Sequence, residues 1–99
     1  MITHLVGWNL VATDEAGKAS AALEVKSALE ALVGVVPGLI DLTVSRNGVP
    51  IAGNSDLALV AHYATADDLR AYIVHPAHEA AVVVVKRNTK DRWAIDLEA

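Results

Sequence analysis

Tyr72-Ile73-Val74-His75-Pro76-Ala77-His78 is the stretch whose reading decides how the second half of the chain folds. Pro76 lacks a backbone donor and disfavours helical geometry at His75. One helix must therefore end near Val74, and a second begins with Pro76 in its first position. His78 then falls in the first turn of that second helix. Upstream, Thr65 with Asp68 three residues on forms a short capping box, and Leu69, Tyr72 and Ile73 supply the apolar stripe of the first helix. Downstream, His78, Ala81, Val82 and Val85 share one side, and Glu79 suits the positive end of the helix dipole. The run Val82 to Val85 is β-branched and locally favours a strand. That preference amounts to about half a kcal/mol per residue or less, so burial of Val82 and Val85 overrides it, leaving Val83 and Val84 for a second contact.

Working outward, Ile2 to Val11 alternates as a strand, with His4, Val6, Trp8 and Leu10 on the more apolar side, which faces the helices. Thr13 and Asp14 are caps for a helix reaching about Val33, with Ala22, Val25, Leu29 and Leu32 as its buried stripe and Gly34 as its stop. Pro37-Gly38 fits the centre of a type II turn into a strand from Leu39 to Arg46, where Ile40, Leu42 and Val44 alternate with polar residues. Asn47 to Ser55, rich in Gly, Pro and Asn, reads as a loop. Asp56 to Tyr63 is a third strand, with Leu57, Leu59, Ala61 and Tyr63 on one face, and Arg92 to Leu97 a fourth.

The composition bounds the rest. A chain of 99 residues is of single-domain size, so residues 1–99 are expected to form one domain, and 54% hydrophobic content is high for that length. No apolar run approaches the roughly 18 to 20 residues of a membrane span, so the surplus points to burial between subunits rather than in lipid. Met1-Ile-Thr-His has no basic segment and does not read as a secretory signal. With no cysteine, disulfides, thiol nucleophiles and Cys-type zinc sites are excluded, and a cytoplasmic location is expected. A formal charge of −4 leaves no electrostatic footprint for nucleic acid. The basic cluster Lys86, Arg87, Lys90 and Arg92 reads as a solvated face.

The order strand, helix, strand, strand, paired helices, strand implies an α+β, ferredoxin-like fold: a four-stranded antiparallel sheet with helices on one face. The other face, expected to include Leu5, Thr43, Ala58, Val60, His62 and Ala94, is too apolar for free solvent. Packing two such sheets face to face would give a homodimer.

The residues now placed carry a resemblance. Met1-Ile-Thr-His4, Pro37-Gly38-Leu, Arg46-Asn47, Asp56-Leu-Ala-Leu-Val60, Tyr72-Ile-Val-His75-Pro76-Ala-His78 and Asp91-Arg92 together resemble the stress-responsive dimeric α/β-barrel (Dabb) family over nearly the whole chain. The resemblance implies a homodimer whose two sheets form a barrel. One branch of the family includes plant stress-response proteins, and another includes olivetolic acid cyclase, a cofactor-free enzyme that closes a polyketide chain by aldol condensation. Matched to that branch, His78 takes the place of the catalytic histidine, Tyr72 of its partner and His4 of a pocket histidine. The chain departs from it at Leu57, where the cyclase has another pocket histidine, and near Ser27, where a tyrosine is missing.

Independently of the family, a helix N-terminus disfavours the imidazolium, so His78 tends to stay neutral and can accept a proton. A tyrosine one short helix away can donate to a developing enolate, the other half of proton abstraction beside a carbonyl. The alternative is that Tyr72 and His78 merely satisfy each other or the backbone in the core. His4, Trp8, Leu57 and Leu59 are the candidate substrate-binding residues of a pocket between sheet and helices. His75 reads as a helix cap, and His62 as part of the dimer barrel. Trp8 and Trp93 read as core aromatics rather than a cofactor platform. His75, His78 and Glu79 are separated by the helix break, so no metal site is expected, and no cofactor is expected either. Two function classes follow: a cofactor-free lyase or cyclase acting on a small β-dicarbonyl or polyketide-like molecule, and a non-catalytic, stress-associated dimer that binds a small ligand.

Overall fold

The computed structural model describes residues 1–99. In chain order the elements are β1 (Ile2–Leu10), α1 (Glu15–Glu30), β2 (Leu39–Arg46), β3 (Leu57–Tyr63), α2 (Ala66–Ile73), α3 (Pro76–Asn88) and β4 (Thr89–Glu98). The strands form one four-stranded antiparallel sheet in the order β2-β3-β1-β4, the ferredoxin-like α+β arrangement.

Local chemistry sets each boundary. The Asp14 side chain accepts from the Gly17 N–H and caps α1, and Thr65 accepts from the Asp68 N–H and caps α2. His75 caps α3, its Nδ1 accepting from the Ala77 N–H at 3.0 Å while Pro76 opens the helix. Gly38, at φ 83°, turns the chain into β2, with Leu39 N–H bonded back to the Val36 carbonyl at 3.4 Å. Residues 82–85 are helical, so tertiary packing overrides their strand preference.

The core lies between the helices and one sheet face: Ile2, Val6, Trp8 and Leu10 of β1, Leu57, Leu59, Ala61 and Tyr63 of β3, and Val25, Leu29, Leu69, Tyr72, Ala81 and Val85 of the helices. α1 lies over β2 and against α3. β4, at the sheet edge, has no residue that is buried.

The structure corrects the sequence reading in several places. α1 ends at Glu30, one turn early, and the chain continues through a turn that buries Leu32 and Val36. A register shift between Leu39 and Asp41 buries Leu39 and turns Ile40 outward, to 48% exposure. Ile73 faces solvent rather than the stripe. In β4 the faces are the reverse of expectation. Ala94 pairs with Val6 and Asp96 with His4, so these two share the helix side, whereas Trp93, Ile95 and Leu97 join the open face opposite Gly7, Leu5 and Thr3. Trp93 is therefore not a core aromatic. Its indole lies across Gly7, where a Cβ would overlap the ring, and its Nε1–H donates to Ser55 Oγ at 2.9 Å.

Candidate functional site

Because the helices concentrate over β2, β3 and β1, the corner between α3, β1 and β4 is left hollow. A cavity of about 320 Å³ opens there. His4, Val6 and Trp8 of β1, Leu59 of β3, Leu29 of α1 and Tyr72 of α2 line it, with His78, Val82 and Val85 of α3. The structure thus brings His4, Trp8, Leu59, Tyr72 and His78 around one space. Leu57 is not among them: it pairs with Trp8 but lies buried on the β2 side of it, beneath α1 beside Ala22 and Val44. Leu57 and Leu59 share a face, but Leu57, between Trp8 and Arg46 in the sheet, packs under α1 rather than against the hollow corner.

His78 and Tyr72 are in contact, their ring centroids 4.2 Å apart and their planes tilted by 42°. His78 Nδ1 lies 3.0 Å from the Ile73 carbonyl. A carbonyl only accepts, so Nδ1 carries the proton and Nε2 is left as the acceptor. Burial depresses the His78 pKa, opposed by the Ile73 bond and reinforced by the nearby His4 and Arg92 charges. Burial pushes Tyr72 up to about 12, so its hydroxyl keeps its proton at neutral pH and remains a donor.

His4 is buried beside this pair, with ring centroids 6.4 Å from Tyr72 and 6.2 Å from Tyr63. Its Nδ1 meets Asp96 Oδ1 at 2.5 Å. The Asp96 carboxylate accepts from Nδ1–H and fixes the orientation of the ring. Tyr63 packs against Tyr72 at 5.2 Å, and its buried hydroxyl has no hydrogen-bond partner. Burial raises the Tyr63 pKa far above its ordinary value.

Three features here escaped the sequence reading. Asp96 was not expected to hold His4, although strand alternation in β4 offered it once the register was known. Tyr63 was assigned only to the core. Lys86, Lys90 and Arg92, read as part of a solvated face, line the mouth of the cavity together with Asp91. Spacing is the available signal: Val85 and Lys86 lie three and four residues after Val82, on one helical face. Arg87 points elsewhere, to Glu24 at 3.3 Å. No three His, Cys, Asp or Glu side chains cluster as metal ligands, and His75 is occupied as the α3 cap. No helix is long and apolar enough to cross a membrane.

The profile of the stress-responsive A/B barrel domain matches residues 2–99. The chain belongs to the Dabb family. No curated protein matches it. Among solved structures, a dimeric protein of unknown function and ferredoxin-like fold from Bacteroides fragilis aligns at TM-score 0.86 and 26% identity, covering 99% of this chain and 95% of that one. A dimeric ferredoxin-like protein of unknown function from Thermobifida fusca aligns at 0.80 and 28%, covering 99% and 90%. Another, from Jannaschia, aligns at 0.80 and 21%, covering 99% and 98%, a likeness of fold alone. These similarities describe a Dabb domain without assigning a reaction.

Proposed function

We propose that this Dabb domain is a cofactor-free lyase or cyclase that abstracts a proton beside a carbonyl of a small β-dicarbonyl or polyketide-like molecule. The observation that carries the reading is the pinning of His78 Nδ1 by Ile73, which leaves Nε2 free as an acceptor on a ring packed against Tyr72 at one cavity. His78 Nε2 takes the α-proton, and the electron pair of the broken C–H bond moves into an enolate whose oxygen accepts from Tyr72 O–H. The enolate carbon then attacks a second carbonyl of the same molecule, forming the C–C bond. The proton on Nε2 passes to the resulting alkoxide. His4, oriented by Asp96, Trp8 and Leu59 would position the substrate.

The working unit is a homodimer formed through the open sheet face. That face carries exposed Val60, Trp93, Ile95 and Leu97, and joining two copies would bury on the order of 1,200 to 2,000 Å² in total.

The test is exchange of the methylene protons of a β-diketone in D₂O, followed by NMR. Catalysed exchange is expected, with His78→Gln lowering the rate by about 10²- to 10⁴-fold at nearly unchanged melting temperature and Tyr72→Phe lowering it less. No catalysed exchange, or exchange insensitive to His78, returns the protein to the second reading, a non-catalytic dimer in which Tyr72 and His78 pack against each other around a small ligand.

A further inference from the structure

The charges around the cavity mouth are unlike those elsewhere on the molecule. Of the eight Lys and Arg side chains, five are ion-paired: Lys18 with Asp56, Lys26 with Glu30, Arg46 with Glu15, Arg70 with Asp67 and Arg87 with Glu24. The three without an ion pair are Lys86, Lys90 and Arg92, and all three line the same cavity. Acidic residues outnumber basic ones by 12 to 8, so a scarcity of carboxylates does not account for this. Asp91, the acid of the same rim, is engaged by the Asn9 side-chain amide at 3.0 Å.

The fold builds this arrangement rather than merely tolerating it. Lys86 continues the cavity-facing stripe of α3 one residue beyond Val85. The register shift between Asn9 and Leu10 leaves Lys90 without a β1 partner, a bulge at the point where α3 passes into β4. Arg92 pairs with Trp8 in the sheet and so shares the face that bears His4. Beneath this rim the walls are apolar, formed by Val6, Trp8, Leu29, Leu59, Val82 and Val85.

We infer that the cavity binds an acid: a small molecule whose apolar, carbonyl-bearing body enters toward Tyr72 and His78 and whose terminal carboxylate stays at the mouth among Lys86, Lys90 and Arg92. The inference deepens the proton-transfer reading and rests on it for the placement of the carbonyl end. The cations supply attraction and orientation, and Arg92 can fork onto the carboxylate while the lysines act as point charges. A carboxylate there also balances a local excess of positive charge.

The probe is 4,6-dioxoheptanoate against its methyl ester, which carries the same diketone without the charge. Binding is measured by amide chemical-shift titration and calorimetry at low salt. The acid is expected to bind about tenfold more tightly than the ester, an advantage that shrinks as salt rises because exposed charges are screened. In the triple variant Lys86→Gln, Lys90→Gln and Arg92→Gln, the acid should fall to within about twofold of the ester, whereas Arg70→Gln, at a pair remote from the cavity, should change neither. All four side chains are exposed, so the variants should keep the parent melting curve, which is measured alongside. Equal affinity of acid and ester, absence of binding by both, or an acid preference that survives the triple variant overturns the inference. Proton exchange separates the two proposals. Catalysed exchange of both probes without an acid preference leaves the function standing and removes the rim. A rim-dependent acid preference without catalysed exchange does the reverse.

Discussion

The two faces of the sheet share one backbone and meet different fates. On the helix side, β1 and β3 bury Val6, Trp8, Leu10, Leu57, Leu59 and Ala61, and the corner toward β4 is left hollow. On the open side, Leu5, Val60, Trp93, Ile95 and Leu97 form an apolar surface that nothing in the single chain covers, with the His62–Asp41 pair at 2.6 Å on the same face. The first face is finished within the chain except at the corner where the proposed chemistry would take place. The second calls for another sheet, in keeping with the proposed dimer. In the proposed reading, stability and function make different demands on one sheet: closure on one face, an opening at one corner of the other.

The comparison is broken most severely by a charge on the open face. Val60 sits at its centre, between Leu5 and Thr43. Val60→Asp would bury two symmetry-related, unpaired carboxylates, each costing on the order of 3–5 kcal/mol. Sedimentation is expected to show the parent as a dimer and the variant as a monomer of 10.4 kDa. A parent that sediments as a monomer at micromolar concentration would remove the dimer.

Next in size is a contrast within the covered face. Leu57 is buried beneath α1, so Leu57→Ala should cost about 2–5 kcal/mol in urea unfolding. Val82 borders the cavity and is half-buried, so Val82→Ala creates little new void and should cost about 1 kcal/mol. Equal losses would mean that the corner is not hollow in solution.

Tyr63 tests a smaller feature, behind the Tyr72 ring. Its hydroxyl is buried without a partner, which ordinarily costs about 1–3 kcal/mol. Tyr63→Phe should leave stability unchanged or raise it within that range. A clear loss in the melting curve would show that the hydroxyl has a partner, Tyr72 being the nearest candidate.

How far these features were legible in the sequence depends on what fixes them. The helix break at Pro76, the caps at Asp14, Thr65 and His75, and the strand alternation of β1 and β3 are local, and they emerged from residue chemistry alone. Tyr72, His78 and His4 could be brought to one face by periodicity. The orientation of β4 could not. Trp93, Ile95 and Leu97 alternate as cleanly with Ala94 and Asp96 whichever side they face, and only pairing with β1 settles it. The same pairing was needed to find Asp96 beside His4 and Arg92 at the cavity mouth. Leu57 was misplaced for a related reason, since periodicity gives the face of a strand but not which helix covers each stretch of it.

The smallest effect expected is the pH dependence carried by His78, and its sign is determined by the site. Burial, with His4 and Arg92 nearby, holds the folded-state pKa below the ordinary value of 6.5, against the Ile73 bond and the Glu79 charge. Between the depressed folded value and 6.5, the unfolded chain binds a proton that the folded one does not, so His78 lowers stability as pH falls through that window. Above it, the ring is neutral in both states and contributes no slope. Urea unfolding from pH 7.5 to 5 should therefore lose stability more steeply in the parent than in His78→Gln. The same depression keeps Nε2 available as a base, so the acid limb of the exchange rate should lie below pH 6.5 and coincide with the His78 titration seen by NMR. A His78 resonance titrating above 6.5 would mean that the imidazolium is favoured at this corner, and with it the contrast between a hollow, desolvating site and an ordinary surface histidine would be lost.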